Sequence, residues 1–177
     1  MIVLAIDPGF ERLGWSVGQI LPSNQVNLLS YGLITTSKTQ RLSHRYQQIC
    51  WQINQLLDEF HPHEVAIESL FIFKNQKTVM QVAEVRGMLL GIFLQQKLRV
   101  WQYSPPQIKA AVTGFGRADK KGVEKLIRLQ FSLDKSKKII DDTIDALAIL
   151  LTHAASRDYN IYKMISPSFL EMTNKEP

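Results

Sequence analysis

Ile2-Val3-Leu4-Ala5-Ile6 is an unbroken apolar run that closes on Asp7-Pro8-Gly9. A half-exposed strand alternates apolar and polar side chains, so an unbroken run ended by turn formers reads as a strand buried on both faces. Proline fixes φ and lacks a donor, and glycine accepts positive φ, so Pro8 and Gly9 turn the chain. Asp7 therefore stands at the mouth of the core, aimed out of the sheet end where open α/β sheets keep their chemistry. After the turn, residues 13–18 alternate like a returning antiparallel strand.

The chain has 177 residues, enough for one domain with a substantial core. Further elements follow in an α/β pattern. Residues 26–35 read as a third strand. Leu42, Tyr46, Ile49, Ile53, Leu56, Leu57 and Phe60 recur at steps of three and four, a helical stripe that His61-Pro62-His63 ends. Glu64-Val65-Ala66-Ile67-Glu68 reads as a buried strand with Glu68 at its carboxyl end, repeating the arrangement at Asp7. A helix over 75–96 carries Ala83, Gly87 and Gly91 at steps of four, a place where another helix comes close, within the subunit or across a dimer. Residues 98–103 read as a fifth strand, 107–112 and 119–131 as helices, and Gly114-Phe115-Gly116 as a hinge-like loop between them. In the second of these helices Val123, Leu126 and Ile127 point inward. The last strong helix opens near Asp141 and is apolar through Ala154, with His153 as a structural residue. No run approaches the roughly 18 apolar residues of a membrane span, and the N-terminus lacks the pattern of a signal peptide, so a cytoplasmic location is expected. Cys50, the only cysteine, reads as a small hydrophobe.

Asp7 and Glu68 end strands, and Asp142 and Asp145 stand three apart, hence on one face of a helix's first turn. Each acid alone could be solvated, and Asp141 could cap the helix. Four carboxylates without a paired His or Cys suit Mg²⁺ or Mn²⁺ rather than Zn²⁺. The charge distribution supplies the substrate class. The net charge is +5 at a pI near 9.4, yet residues 97–138 carry a local +8 and the remainder −3. Concentrated positive charge favours a polyanion, with Lys120, Lys121, Lys125 and Arg128 available to phosphates. Acids beside such a surface imply two-metal hydrolysis of a phosphodiester. In the loop after Glu68, Phe71 is the candidate for stacking on an unpaired base.

The segments Ile6-Asp7-Pro8-Gly9, Ala66-Ile67-Glu68 with Phe71 and Asn75, Val85-Arg86-Gly87, Ile108-Lys109 with Val112-Thr113-Gly114, Ala118-Asp119-Lys120, and Asp142 through Ile149 with Thr152-His153 together resemble RuvC, the Holliday junction resolvase family of bacteria. The resemblance covers residues 1 to about 155. It implies an RNase H-like fold: a five-stranded mixed sheet flanked by helices as one nuclease domain, 1–155, with 156–177 a partly mobile C-terminal tail. It also implies a homodimer acting on four-way junction DNA during recombination and repair, alongside a branch-migration helicase complex of the RuvA and RuvB type. By position the metal-binding, catalytic acids fall on Asp7, Glu68, Asp142 and Asp145, with two Mg²⁺ per subunit and Mn²⁺ able to substitute. The stacking aromatic falls on Phe71 and the DNA-contacting lysines on Lys109 and Lys120, with Lys121 beside them. Thr143 and Ile144 depart from the small residues usual between the last two aspartates. The alternatives are a module that binds junctions without cutting, which would need a broken acid set, and an RNase H-like nuclease for another nucleic acid.

Overall fold

A computed structural model describes residues 1–70, 76–134, 136, 139–156 and 164–165. Its elements are β1 (Ile2–Asp7), β2 (Arg12–Ile20), β3 (Val26–Thr35), α1 (Leu42–Phe60), β4 (Glu64–Glu68), α2 (Gln76–Gln95), β5 (Arg99–Tyr103), α3 (Pro105–Thr113), α4 (Lys120–Gln130), α5 (Asp141–Ser156) and β6 (Met164–Ile165). The sheet runs in the order β3-β2-β1-β4-β5-β6. Strands β1, β4 and β5 are parallel to one another, while β2, β3 and β6 pair antiparallel to their neighbours. The expected five-stranded mixed sheet is there, extended at its edge by the two residues of β6.

The period of two along each strand assigns the layers. On one face, Leu4, Ile6, Leu13, Val17, Val65, Ile67 and Val100 pack against Ile49 and Ile53 of α1 and Val85, Leu89 and Phe93 of α2. On the other, Val3, Ala5, Ala66 and Tyr103 meet Ile108 of α3, Val123 and Ile127 of α4, and the apolar stripe of α5. Asp7 shares its parity with Val3 and Ala5, and Glu68 with Ala66. Both acids therefore belong to the face that α5 covers.

Helix α5 lies unusually close to the sheet because β2 presents small residues to it. Ser16 Oγ donates to the Ala146 carbonyl at 2.9 Å. A Cβ on Gly14 would stand 1.8 Å from the Asp142 carbonyl oxygen, and one on Gly18 2.8 Å from a Leu150 methyl. Every second strand residue thus meets every fourth helix residue, and the periods agree: two strand residues rise about 6.6 Å and four helical ones about 6.0 Å. At the opposite end of α5, buried His153 accepts or donates at both ring nitrogens, 2.7 Å from Tyr103 Oη and 2.9 Å from Glu64 Oε2. Glu64 also pairs with Arg99 at 2.5 Å, so the structural reading of His153 holds.

Several expectations are corrected. Leu42 is 52% exposed and Leu126 38%, so neither belongs to the inward stripe of its helix. α5 begins at Asp141, and the Ile140 carbonyl accepts from Thr143 and Ile144, so Asp141 lies in the first turn rather than at the cap. Arg128 is bound to Glu124 at 2.8 Å and to the Asp134 carbonyl at 3.1 Å, with a side chain 15% exposed, which removes it from the cations open to phosphate. Cys50 is half-buried rather than buried, with burial pushing its thiol pKa up. Phe71 and Asn75 lie outside the described residues.

Because Gly14 touches backbone rather than a movable side chain, Gly14→Ala should destabilise the protein by about 3 kcal/mol, the upper end for overpacking. Urea unfolding midpoints of the two proteins measure this, and a loss under about 1 kcal/mol would mean that α5 can move away from β2 freely.

Candidate active site

Strand pairing makes the first half of the site. Ile6 stands opposite Ile67 in the parallel β1–β4 ladder, so the next residues, Asp7 and Glu68, leave the sheet side by side at its carboxyl edge. Neighbouring strands are about 4.8 Å apart, and these two side chains share a hydrogen bond. In the turn beyond Asp7, a Cβ on Gly9 would stand 1.9 Å from the Arg12 carbonyl oxygen, so only glycine permits so tight a reversal. Buried Arg45 holds this turn from α1: its guanidinium lies 3.6 Å from the centre of the Phe10 ring, and its Nε donates to Thr36 Oγ1 at 2.9 Å.

α5 supplies the second half. Asp7 pairs with Gly14 across β1 and β2, and Gly14 lies against Asp142, so the first turn of α5 stands over the strand ends. Asp7, Glu68, Asp142 and Asp145 consequently line one cleft of about 400 Å³, with Lys109, Lys120, Pro105, Ile108 and Val123 as its other walls. α3 enters through Pro105 and a capping box in which Gln107 accepts from the Ser104 N–H at 2.8 Å. α4 is capped by Asp119, whose carboxylate accepts from Gly122 N–H at 2.8 Å, fixing Lys120 as the first helical residue.

The electrostatics of this cleft are those of a site short of positive charge. Burial, followed by the nearby charges of Glu68 and Asp145, the hydrogen bond with Glu68 and the charge of Asp142, raises the Asp7 pKa well above the usual carboxylate range. Burial also raises Glu68, against the lowering effects of the Asp7 hydrogen bond and of Lys120 and Lys109. Asp145 is raised by burial in the same way, with Lys120 opposing. The available cations have divided the acids between them. Arg12 Nε is 3.1 Å from Asp142 Oδ2, and Lys120 Nζ is 3.7 Å from Asp145 Oδ2. Asp142 Oδ2 is nevertheless buried without a hydrogen bond of good geometry.

Among the described residues, no three His, Cys, Asp or Glu side chains are gathered closely enough to hold a metal ion as they stand. The donor set itself fits a hard divalent cation: oxygen ligands only, a buried carboxylate oxygen with an ion-pair neighbour but no hydrogen bond, and more negative charge than the neighbouring cations offset.

The cleft thus unites Asp7, Glu68, Asp142, Asp145, Lys109 and Lys120 from the sequence-predicted set. Lys121 is not among them; it lines a separate groove on α4 with Glu124, Lys125, Arg128 and Leu129. Two further residues were given no role at the site from the sequence, although Arg86 lies in a segment that carries the resemblance. Arg12 reaches Asp142 only because β2 carries it there. Arg86 donates from Nε to the Glu68 carbonyl at 3.4 Å and also bonds Gln102, holding the end of β4.

A family model described as "Crossover junction endodeoxyribonuclease RuvC" matches residues 3–153. The crossover junction endodeoxyribonuclease RuvC of Petrotoga mobilis is 40% identical over 157 residues, which cover 89% of this chain and 95% of the relative. That of Finegoldia magna is 39% identical over 153 residues, covering 86% of this chain and 92% of the relative. Among solved structures, Thermus thermophilus RuvC in complex with a Holliday junction substrate superposes with a TM-score of 0.85 at 29% identity, over 93% of this chain and 99% of that one. The fold is accordingly the α/β, RNase H-like one of the resolvases, and this chain belongs to the RuvC family of crossover junction endodeoxyribonucleases.

Proposed function

We propose that this chain is a structure-specific endonuclease that resolves four-way DNA junctions by hydrolysing phosphodiester bonds. The observation that carries the reading is the convergence of two strand-end acids, an acidic helix start and two lysines in one cleft. The chain's family membership supports it, as does the junction bound by the Thermus thermophilus relative. All four acids are present, which opposes a module that binds without cutting.

Asp7, Glu68, Asp142 and Asp145 are the residues to hold two Mg²⁺ ions, with Mn²⁺ able to substitute. When bound, such ions activate an attacking water and neutralise the charge that develops on the leaving oxygen. The protein's own groups do the rest. Lys109 and Lys120 stand on α3 and α4 to receive the phosphates that flank the scissile bond, as point charges that position rather than read sequence. Arg86 holds the end of β4 and with it Glu68, while the Gly14 contact fixes Asp142. Metal ligation requires the deprotonated carboxylates, and the raised pKa of Asp7 makes metal affinity rise with pH. The products are 5′-phosphate and 3′-hydroxyl ends on two opposed strands.

Symmetric cutting calls for a homodimer, and α2 offers the contact. A Cβ on Gly87 or Gly91 would meet nothing within 4 Å, so the small-residue stripe is open to solvent within the subunit, and Met80 and Trp51 add exposed apolar surface nearby, at 66% and 63%. Residues 1–155 form the nuclease domain in this reading and the rest a tail. The protein works in the cytoplasm with a branch-migration complex of the RuvA and RuvB type. Among the described residues no helix is long and apolar enough to cross a membrane.

Asp7→Asn should bind a mobile four-way junction as wild type does, yet cut it at least about 1,000-fold more slowly in Mg²⁺; EDTA should silence the wild type. Linear duplex and RNA/DNA hybrid should resist both proteins. Cutting by the variant at the wild-type rate would remove Asp7 from the chemistry.

The same substitution has a stability signature. A carboxyl whose folded-state pKa lies above its unfolded-state value destabilises the fold increasingly as pH rises from the unfolded value, about 3.9, towards the folded one. An amide carries no such penalty. In EDTA at pH 8, Asp7→Asn should melt several degrees above wild type, at about 2–4 °C per kcal/mol relieved, and this gain should shrink towards pH 4. Mg²⁺ should raise the melting temperature of the wild type and leave the variant nearly unmoved.

Gly87→Arg should leave the circular dichroism spectrum unchanged, because the position faces open space, and convert a dimer into monomers by sedimentation equilibrium. A dimer persisting at the wild-type affinity would place the contact elsewhere.

A further inference from the structure

The Gly114-Phe115-Gly116 loop reads from sequence as a hinge, but the structure makes it a pinned turn. Gly114 closes α3 at φ 78°, and its N–H donates to the Ala110 carbonyl at 2.8 Å. Phe115 N–H donates to Thr113 Oγ1 at 3.1 Å. The Thr113 hydroxyl itself lies 2.9 Å from the Phe115 carbonyl and 2.8 Å from that of Lys109. The Phe115 carbonyl also accepts from Ala118 N–H at 3.1 Å. Gly116 lies back against α3, where a Cβ would be 3.3 Å from the Pro106 carbonyl.

This framework fixes the backbone on both sides of a ring that the fold does not use. Phe115 is 77% exposed, the most exposed of the large apolar side chains among the described residues. Single exposed apolar residues are ordinary on protein surfaces; the setting of this one is not. The turn joins α3 to α4, the two helices that send Lys109 and Lys120 into the acid cleft. Exposed Arg117, Lys120 and Lys121 follow it closely, and the one acid among them, Asp119, is engaged as the cap of α4, accepting from Gly122 N–H at 2.8 Å. An exposed apolar ring beside a local excess of positive charge is complementary to a group that is flat, apolar on its face and tethered to negative charge.

We propose that Phe115 stacks on an unpaired or splayed nucleobase of the strand whose phosphates Lys109 and Lys120 receive. The inference rests on the nucleic-acid reading above and adds to it a base-contacting group. An aromatic ring stacks on any of the four bases, since each has a π-face. Holding the ring on a pre-formed turn reduces the ordering that binding would otherwise require. The charge around it favours a nucleic acid over an apolar protein surface as its occupant.

Fluorescence anisotropy in EDTA, with a labelled immobile four-way junction and a linear duplex of the same sequence, tests the proposal. Phe115→Ala should weaken junction binding about ten-fold and change duplex binding less than about two-fold, and Phe115→Trp should restore the wild-type value. The slope of log affinity against log salt should stay unchanged in Phe115→Ala, since stacking releases no counterions, whereas Lys120→Ala should reduce it by about 1. With 2-aminopurine at the branch point, the fluorescence change on binding should disappear in Phe115→Ala.

Equal junction affinity for Phe115→Ala and wild type would overturn the proposal, as would an equal loss on the linear duplex. A shift of the DNA-free protein's mass in sedimentation on Phe115→Ala would also overturn it, by marking the ring as a protein contact. Failure of the wild type to bind any four-way junction would instead count against the function. A labelled single-stranded oligonucleotide then decides the stacking by itself: weaker binding by Phe115→Ala sustains it, and equal binding ends it.

Discussion

The close seating of α5 on β2 is the contact on which the site depends. Gly14, Ser16 and Gly18 remove bulk from one face of β2, and Asp142, Ala146 and Leu150 come down onto them. The near match between two strand residues and four helical ones lets the contact continue for two turns without drift. Since Gly14 pairs with Asp7 in the β1–β2 ladder, the helix start arrives where β1 ends. The acids of α5 are therefore aimed by a packing rule that involves no acid. Small residues at Ala5 and Ala66 extend the same close approach across the middle of the sheet.

That packing forces like charges together, and the fold tolerates this only through partial neutralisation. Asp7 and Glu68 share a hydrogen bond, Asp142 leans on Arg12 and Asp145 on Lys120. Each device is the response expected of buried carboxylates that lack counter-charge. None is complete, because Asp142 Oδ2 stays buried without a hydrogen bond. Under the proposed function, a divalent cation bound among these acids would relieve that repulsion.

Much of this was legible in the sequence, for identifiable reasons. Ile2 to Ile6 had to be a strand covered on both faces, and it is, with parities split between α1 and α2 on one side and α5 on the other. The i, i+3 spacing, together with the family resemblance, favoured Asp142 over Asp141 as the partner of Asp145, and Asp142 and Asp145 both line the cleft. The misses share a different cause. Leu126 fits the helical period of α4 yet sits at its rim, because periodicity does not say how wide the covered stripe is. Arg128 looked like a phosphate ligand until Glu124, one turn earlier, and the Asp134 carbonyl claimed it. Arg12 reaches its partner across 130 residues of chain, a proximity that only tertiary structure creates.

Strand β4 carries its own control on which acids matter. Glu64 and Glu68 lie on the same face of one five-residue strand, and both are withdrawn from water. Nothing in Glu64-Val65-Ala66-Ile67-Glu68 distinguishes them. Glu64 is answered by His153 at 2.9 Å and Arg99 at 2.5 Å, and Tyr103 completes the cluster on the other ring nitrogen of His153. A buried acid with cationic and hydrogen-bonding partners ties the C-terminal half of α5 to the sheet and has no further demand to make. Glu68, about 13 Å along the strand, faces Asp7 and Asp145 instead, and its nearest cations also serve other acids. Glu64 and Glu68 thus differ in their partners rather than in their strand face. It follows that α5 is anchored by satisfied polar contacts at one end so that an unsatisfied set can be held still at the other.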